Sequence, residues 1–221
     1  TIDMGSGNDS IVYAGSGAAT LKGGSGDDFI EWTGTGAGTI RGGDGDDFIQ
    51  HTDNHLNSSP VVNIYGDGGD DRILGGNSLG LLDGGAGSDD ISGPAAAIVG
   101  GTGNDVISIS AVTQDGNLSV NAGTGTDTLN ILGRPSSDTI DVSQGSSQLD
   151  IAVGAITVTT DGVESLYLDG AGGADDFTVG DIGASGLQQF TINYGQRITT
   201  SGFKDVTVAL DPDDANSETG T

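Results

Sequence analysis

The chain has no cysteine at all and is poor in several other residue types. Of 221 residues only four are proline, 5% are aromatic and six are Lys or Arg. A disulfide scaffold is therefore excluded. The few prolines, and glycines without a strict three-residue period, exclude collagen. No apolar run approaches the ~20 residues of a membrane-spanning helix, so no membrane insertion is expected. Six basic residues against 32 acidic ones leave a net charge of −26, which sets the chain against nucleic acid and anionic membrane surfaces as partners. Apolar residues make up 33%, too few for the wide core of an ordinary domain at ~45–50%. The chain starts with Thr1, without an initiator Met or a secretory leader, and reads as a piece of a longer polypeptide.

What the chain has instead is 42 glycines and an acidic set in which 29 residues are Asp and three are Glu (Glu31, Glu164, Glu218). A short carboxylate held close to the backbone suits turns, caps and hard-cation coordination. The glycines and aspartates recur together. Residues 4–12 read MGSGNDSIV, 23–31 GGSGDDFIE, 42–50 GGDGDDFIQ, 66–74 GDGGDDRIL, 84–92 GGAGSDDIS, 100–108 GGTGNDVIS and 122–130 AGTGTDTLN, with a later GAGGADDFT at 170–178. Their sixth positions are Asp9, Asp28, Asp47, Asp71, Asp89, Asp105, Asp127 and Asp175. Between them lie nonapeptides that keep glycine and the aliphatic residue but lose the acid: AGSGAATLK (14–22), TGTGAGTIR (33–41) and GGNSLGLLD (75–83).

Each coil thus reads as an acidic turn, a short strand, an apolar turn and another short strand. Glycine permits the tight turns. The eighth position (Ile11, Leu21, Ile30, Ile40, Ile49, Ile73, Leu82, Ile91, Ile107, Leu129) points into a thin core, while its neighbours point out. One coil cannot bury its own apolar face, so coils must stack. Like residues then form columns: Tyr13, Trp32 and His51, or Phe29 and Phe48. Stacking at about 4.8 Å brings the aspartates within a few ångströms of one another. Such like charges repel by several kcal/mol at intermediate dielectric. Protonation, or a cation between turns, must relieve this, and the retained Asp in every acidic turn favours the cation.

The repeats resemble the RTX, or haemolysin-type, calcium-binding nonapeptide GGxGxDxUx. The resemblance is strong over residues 4–130 and weaker over 131–210. It implies an all-β fold, a right-handed parallel β-helix or β-roll with Ca²⁺ between successive turns. The ligands it implies are Asp9, Asp28, Asp47, Asp71, Asp89, Asp105, Asp127 and, by the later copy, Asp175, together with carbonyls of the glycine loops. Since the chain shows one acidic turn per coil, about six ions in one row are expected, lowering the formal charge from −26 to −14. The resemblance also implies a secreted, extracellular or cell-surface bacterial protein (surface layer, adhesin or exoprotein) that folds on calcium after export.

Residues 1–130 are read as the regular solenoid with a loop inserted at 51–60, residues 131–210 as its continuation in wider coils, and 211–221 as a flexible tail or linker. The 37 residues from Asp138 to Asp175 read as about two coils. His51 and His55, with Asp53 between them, lack the Glu of HExxH and read as loop residues. There is no GxSxG elbow, and paired acids such as Asp27–Asp28 recur with the repeat, so an enzyme is not expected. Further partners compatible with the pattern are neighbouring domains of a longer chain, other surface-protein copies and glycans. A glycan- or ice-binding adhesin region, or a non-catalytic module of a polysaccharide-modifying enzyme, is the alternative reading. The three N-x-S sequons (Asn8, Asn57, Asn117) are read as chance.

Overall fold

The computed structural model describes residues 1–193 except 53–60, 77–79, 113, 115, 146–147 and 184, and further on the backbone of two strands, Arg197–Thr200 and Thr207–Val208. The expected tail at 211–221, and His55 and Asp53 of the loop, lie outside the described residues. Glycine-bounded runs of three to seven residues are too short for helices, and the described residues form none. They form strands. In chain order these are β1 (Ile2–Ser6), β2 (Ser10–Tyr13), β3 (Ala19–Ser25), β4 (Phe29–Trp32), β5 (Gly38–Asp44), β6 (Phe48–His51), β7 (Val62–Gly68) and β8 (Arg72–Leu74). There follow β9 (Leu81–Ala86), β10 (Asp90–Ser92), β11 (Ala97–Thr102), β12 (Val106–Ser110), β13 (Leu118–Thr124), β14 (Thr128–Leu132), β15 (Thr139–Gln144) and β16 (Leu149–Val153). The last are β17 (Ile156–Asp161), β18 (Ser165–Asp169), β19 (Asp176–Val179), β20 (Gln189–Asn193), β21 (Arg197–Thr200) and β22 (Thr207–Val208).

The chain alternates between two sheets. The first has the order β1-β3-β5-β7-β9-β11-β13-β17-β16-β15-β19-β21, the second β2-β4-β6-β8-β10-β12-β14-β18-β20-β22. Successive coils pair in parallel, which gives the expected parallel β-solenoid, of about eight turns. Turns leading from the first sheet to the second form one edge of the solenoid. Turns leading back form the other.

Parallel register puts like residues on top of one another, and this builds the core. In the second sheet Ile11, Ile30, Ile49, Ile73, Ile91, Ile107, Leu129, Leu166 and Phe190 form one column. In the first, Leu21, Ile40, Ile64, Leu82, Ile98 and Val120 form the facing one. All of them are at most 5% exposed, so each coil supplies about one aliphatic layer per sheet. From β12 to β20 the strands of the second sheet are five residues long, and a second column joins: Ile109, Ile131, Leu168 and Ile192.

The later coils differ from the expected two-coil spacing. Thr139 pairs with Asp176, so the 37 residues are a single coil. Its extra length is a meander within the first sheet: β15 and β17 flank β16, antiparallel to both. Gly154, with φ +60, makes the two-residue turn between Val153 and Ile156, a conformation that a tight hairpin needs and glycine accepts readily. Widening therefore comes from added strands in one sheet.

Candidate metal centre

The nonapeptide turns from β1–β2 to β13–β14 all lie on one edge, and their aspartates form a ladder. Each backbone N–H donates to the Oδ1 of the Asp one coil further on. The distances are 2.7 Å for Asp9 to Asp28, 2.8 Å for Asp28 to Asp47 and for Asp47 to Asp71, and 2.9 Å for Asp71 to Asp89, Asp89 to Asp105 and Asp105 to Asp127. The last rung is Glu164: the Asp127 N–H donates to its Oε2 at 2.9 Å. Sequence reasoning passed over Glu164 because its turn is short. The signal was an acid two residues before an aliphatic, Glu164–Leu166, which repeats Asp127–Leu129.

Only one oxygen of each carboxylate is used. The Oδ2 atoms of Asp9, Asp28, Asp47, Asp71, Asp89, Asp105, Asp127 and Asp175 are all buried without a hydrogen-bond partner. These are the eight acids singled out by the repeat. An unpaired buried carboxylate oxygen is costly unless a proton or a cation meets it. The glycine at the first position of the turn explains itself here. A Cβ on Gly23, Gly42, Gly66, Gly84 or Gly100 would overlap the Oδ2 of Asp28, Asp47, Asp71, Asp89 or Asp105 respectively. The same missing Cβ lies close to the first-position carbonyl oxygen of the next coil, 2.8 Å for Gly42 above Gly23 and for Gly66 above Gly42. Two acceptor oxygens thus approach each other across a bare Cα, a donor set of the kind a hard cation takes. Among the described residues no three His, Cys, Asp or Glu side chains converge, so a site here would rest on one or two carboxylates and backbone oxygens.

A second ladder runs beside the first in the opposite direction, through the fifth positions of the turns. Asn8 accepts from the Asp27 N–H at 3.0 Å, Asp27 from Asp46 at 3.1 Å, Asp46 from Asp70 at 2.8 Å, and Asp70 from Ser88 at 2.7 Å. Ser88 accepts from Asn104 at 3.2 Å and Asn104 from Thr126 at 2.8 Å. Asn, Asp and Ser fill these acceptor positions interchangeably. Their shared property is a short side chain with an acceptor oxygen, the type that caps backbone N–H groups in turns.

Burial dominates the electrostatics. It raises Asp47 to a pKa of about 6, Asp71 to about 7 and Asp89 to about 6, opposed by the N–H donated from the neighbouring Asp and reinforced by adjacent carboxylates. Asp105, Asp127 and Asp175 are also pushed up, mainly by burial.

Seven of the eight predicted acids share this edge; Asp175 does not. Its turn joins β18 to β19, and that of Asp138 joins β14 to β15, both leading back from the second sheet to the first. There they form a separate two-rung ladder, the Asp138 N–H donating to Asp175 Oδ1 at 2.8 Å. The opposite edge, expected to be free of acid, carries these two in its later coils. The aromatic column pairs as expected, Tyr13 with Trp32 and Trp32 with His51. Trp32 is fully buried and His51 5% exposed, and the Tyr13 and Trp32 rings lie 4.5 Å apart. The column is core packing, with no open aromatic strip. Lys22 and Arg41 stand in register and pair with Asp3 and Asp67.

Comparison of the chain with protein-family models and with curated proteins finds no match in either set.

Proposed function

We propose that the chain is a calcium-binding structural module of a secreted or cell-surface protein, of the RTX-like kind its nonapeptides resemble. The observation that carries this reading is the row of buried, partnerless Oδ2 atoms on Asp9, Asp28, Asp47, Asp71, Asp89, Asp105 and Asp127. Oxygen-only donors, one carboxylate per coil and adjacent glycine-loop carbonyls suit Ca²⁺ better than softer metals, which prefer nitrogen or sulfur. The ion would supply positive charge between coils that otherwise stack carboxylate on carboxylate. Asp175, on the other edge, would hold a further ion.

Linkage makes such ions a folding switch. With six sites, each at ten times its dissociation constant, binding contributes roughly 1.4 kcal/mol per site, on the order of 8 kcal/mol in all. That is comparable to a whole domain's stability. Extracellular calcium modules bind at ~10⁻⁴–10⁻³ M, so the chain would stay open in a cytosol and close outside the cell. The paired acids belong to this scaffold, and no catalytic role is part of the reading. The burial of Trp32 and His51 keeps these two rings from stacking on a glycan.

Far-UV circular dichroism tests the reading. The chain should be largely unfolded in chelator at pH 8 and become β-rich on adding millimolar Ca²⁺. A β-rich spectrum indifferent to calcium would refute it.

A further inference from the structure

Asp138 is the one sixth-position acid in the described ladders with both carboxylate oxygens partnered, one of them by a cation. It is buried, its side chain 1% exposed, and Arg134 of the same turn takes both of its oxygens. The backbone N–H of Arg134 donates to Oδ2 at 2.6 Å, and its guanidinium Nε donates to Oδ1 at 3.0 Å. The other sixth-position acids keep a partnerless Oδ2, and none of their turns (4–9, 23–28, 42–47, 66–71, 84–89, 100–105, 122–127 and 170–175) contains Lys or Arg. Basic side chains close to the main ladder are directed elsewhere: Arg72 pairs with Asp90, Arg41 with Asp67 and Lys22 with Asp3.

The local sequence explains how the side chain reaches this place. Arg134 stands at the second position of the turn, where Gly5, Gly24, Gly43, Gly85, Gly101 and Gly123 adopt positive φ, as do Asp67 and Ala171. Arg134 does not adopt it. Pro135 follows, and a residue before proline is driven to extended backbone. The altered turn turns both the N–H and the side chain of Arg134 toward Asp138. On the far side the guanidinium lies against Gly154, where a Cβ would overlap Nη2. The hairpin of β16 and β17 thus closes over the arginine, in the space where the regular solenoid would stack another turn.

We infer that Arg134 is a tethered cation that takes the place of a metal ion at the Asp138 turn. Resting on the calcium reading above, this makes the Asp138 turn independent of calcium, next to an Asp175 turn that needs it. The positive charge delocalised over the guanidinium supplies what a divalent ion supplies elsewhere, without a concentration threshold. The meander coil would then be the part of the molecule that stays ordered at the lowest calcium.

The test counts ions. Calcium-saturated wild type, Arg134→Gln and Arg134→Lys are compared at pH 8 by native mass spectrometry and by equilibrium dialysis with metal analysis. Arg134→Gln removes the charge and keeps a donor; it should bind one ion more per chain than the wild type. Arg134→Lys keeps a charge and should bind the wild-type number. An equal count in wild type and Arg134→Gln overturns the inference, as does an Arg134→Gln chain that remains unfolded at saturating calcium. A wild type that binds no calcium overturns the calcium reading itself, a result separate from a wild type that binds ions while the variant gains none.

Discussion

Each ladder aspartate has two oxygens with different work, and substitutions can separate them. Oδ1 of Asp71 accepts the Asp47 N–H at 2.8 Å, whereas its Oδ2 is buried without a partner. Asp71→Asn keeps the acceptor, removes the desolvated charge and gives the empty side an NH₂ near the Gly84 carbonyl. It should raise the residual β content in calcium-free buffer at pH 8 and lower the melting temperature relative to wild type in saturating calcium. Circular dichroism without calcium and thermal melts with it check this. A variant destabilised equally in both would mean that Oδ2 meets no cation. Asp71→Ala also strands the Asp47 N–H, costing a further ~1–3 kcal/mol in either buffer. Gly42→Ala would drive a methyl into Asp47 Oδ2, and urea titration should show a loss on the order of 1–3 kcal/mol.

Coil stacking converts single-residue choices into columns, so position along the stack matters. Ile73 lies in the middle of the second-sheet column, between Ile49 and Ile91. Ile73→Ala should cost about 2–5 kcal/mol by denaturant titration. Asp47→Ala removes the acceptor of the Asp28 N–H in mid-ladder, while Asp9→Ala removes only a terminal carboxylate, its N–H still donating to Asp28. Calcium titration should therefore lose more cooperativity with the first than with the second; equal losses would argue against coupling along the row.

The regular coils were legible because the register repeats the same residue types. The acid two positions before an aliphatic fixes both the turn and the inward side chain, and Tyr13, Trp32 and His51 align as their spacing requires. The meander was less legible. Its strands Leu149–Val153 and Ile156–Asp161 show the same period-two alternation as parallel strands, and only Gly154 between them signals a hairpin. The placement of Asp175 followed from that miss: without the meander, nothing in the spacing tells which edge a later acidic turn occupies. The fifth-position ladder was hidden because Asn, Asp and Ser serve as its acceptors interchangeably, so no single letter recurs.

At the scale of the molecule, the charge of −26 is partly concentrated in one buried row, and this couples stability to pH. The folded pKa values of Asp47, Asp71 and Asp89 lie near 6 to 7, above the ordinary 3.8. Without metal the folded chain therefore holds protons that the unfolded chain releases. Stability from these groups is fullest below about pH 4, falls as pH rises toward 7 and changes little above it. The loss is on the order of a few kcal/mol per carboxyl. On the proposed calcium reading the ion would act in the opposite window, because it needs the ionised form and competes with protons. The thin core, one aliphatic layer per sheet in the regular coils, gives little reserve against that cost.

The most direct measurement is the melting temperature with and without millimolar Ca²⁺ at pH 8 and at pH 5. The calcium reading predicts a cooperative melt at pH 8 only with Ca²⁺, and a much smaller effect of calcium at pH 5, where protons already meet the carboxylates. Melting that is unchanged by calcium at pH 8 would contradict it.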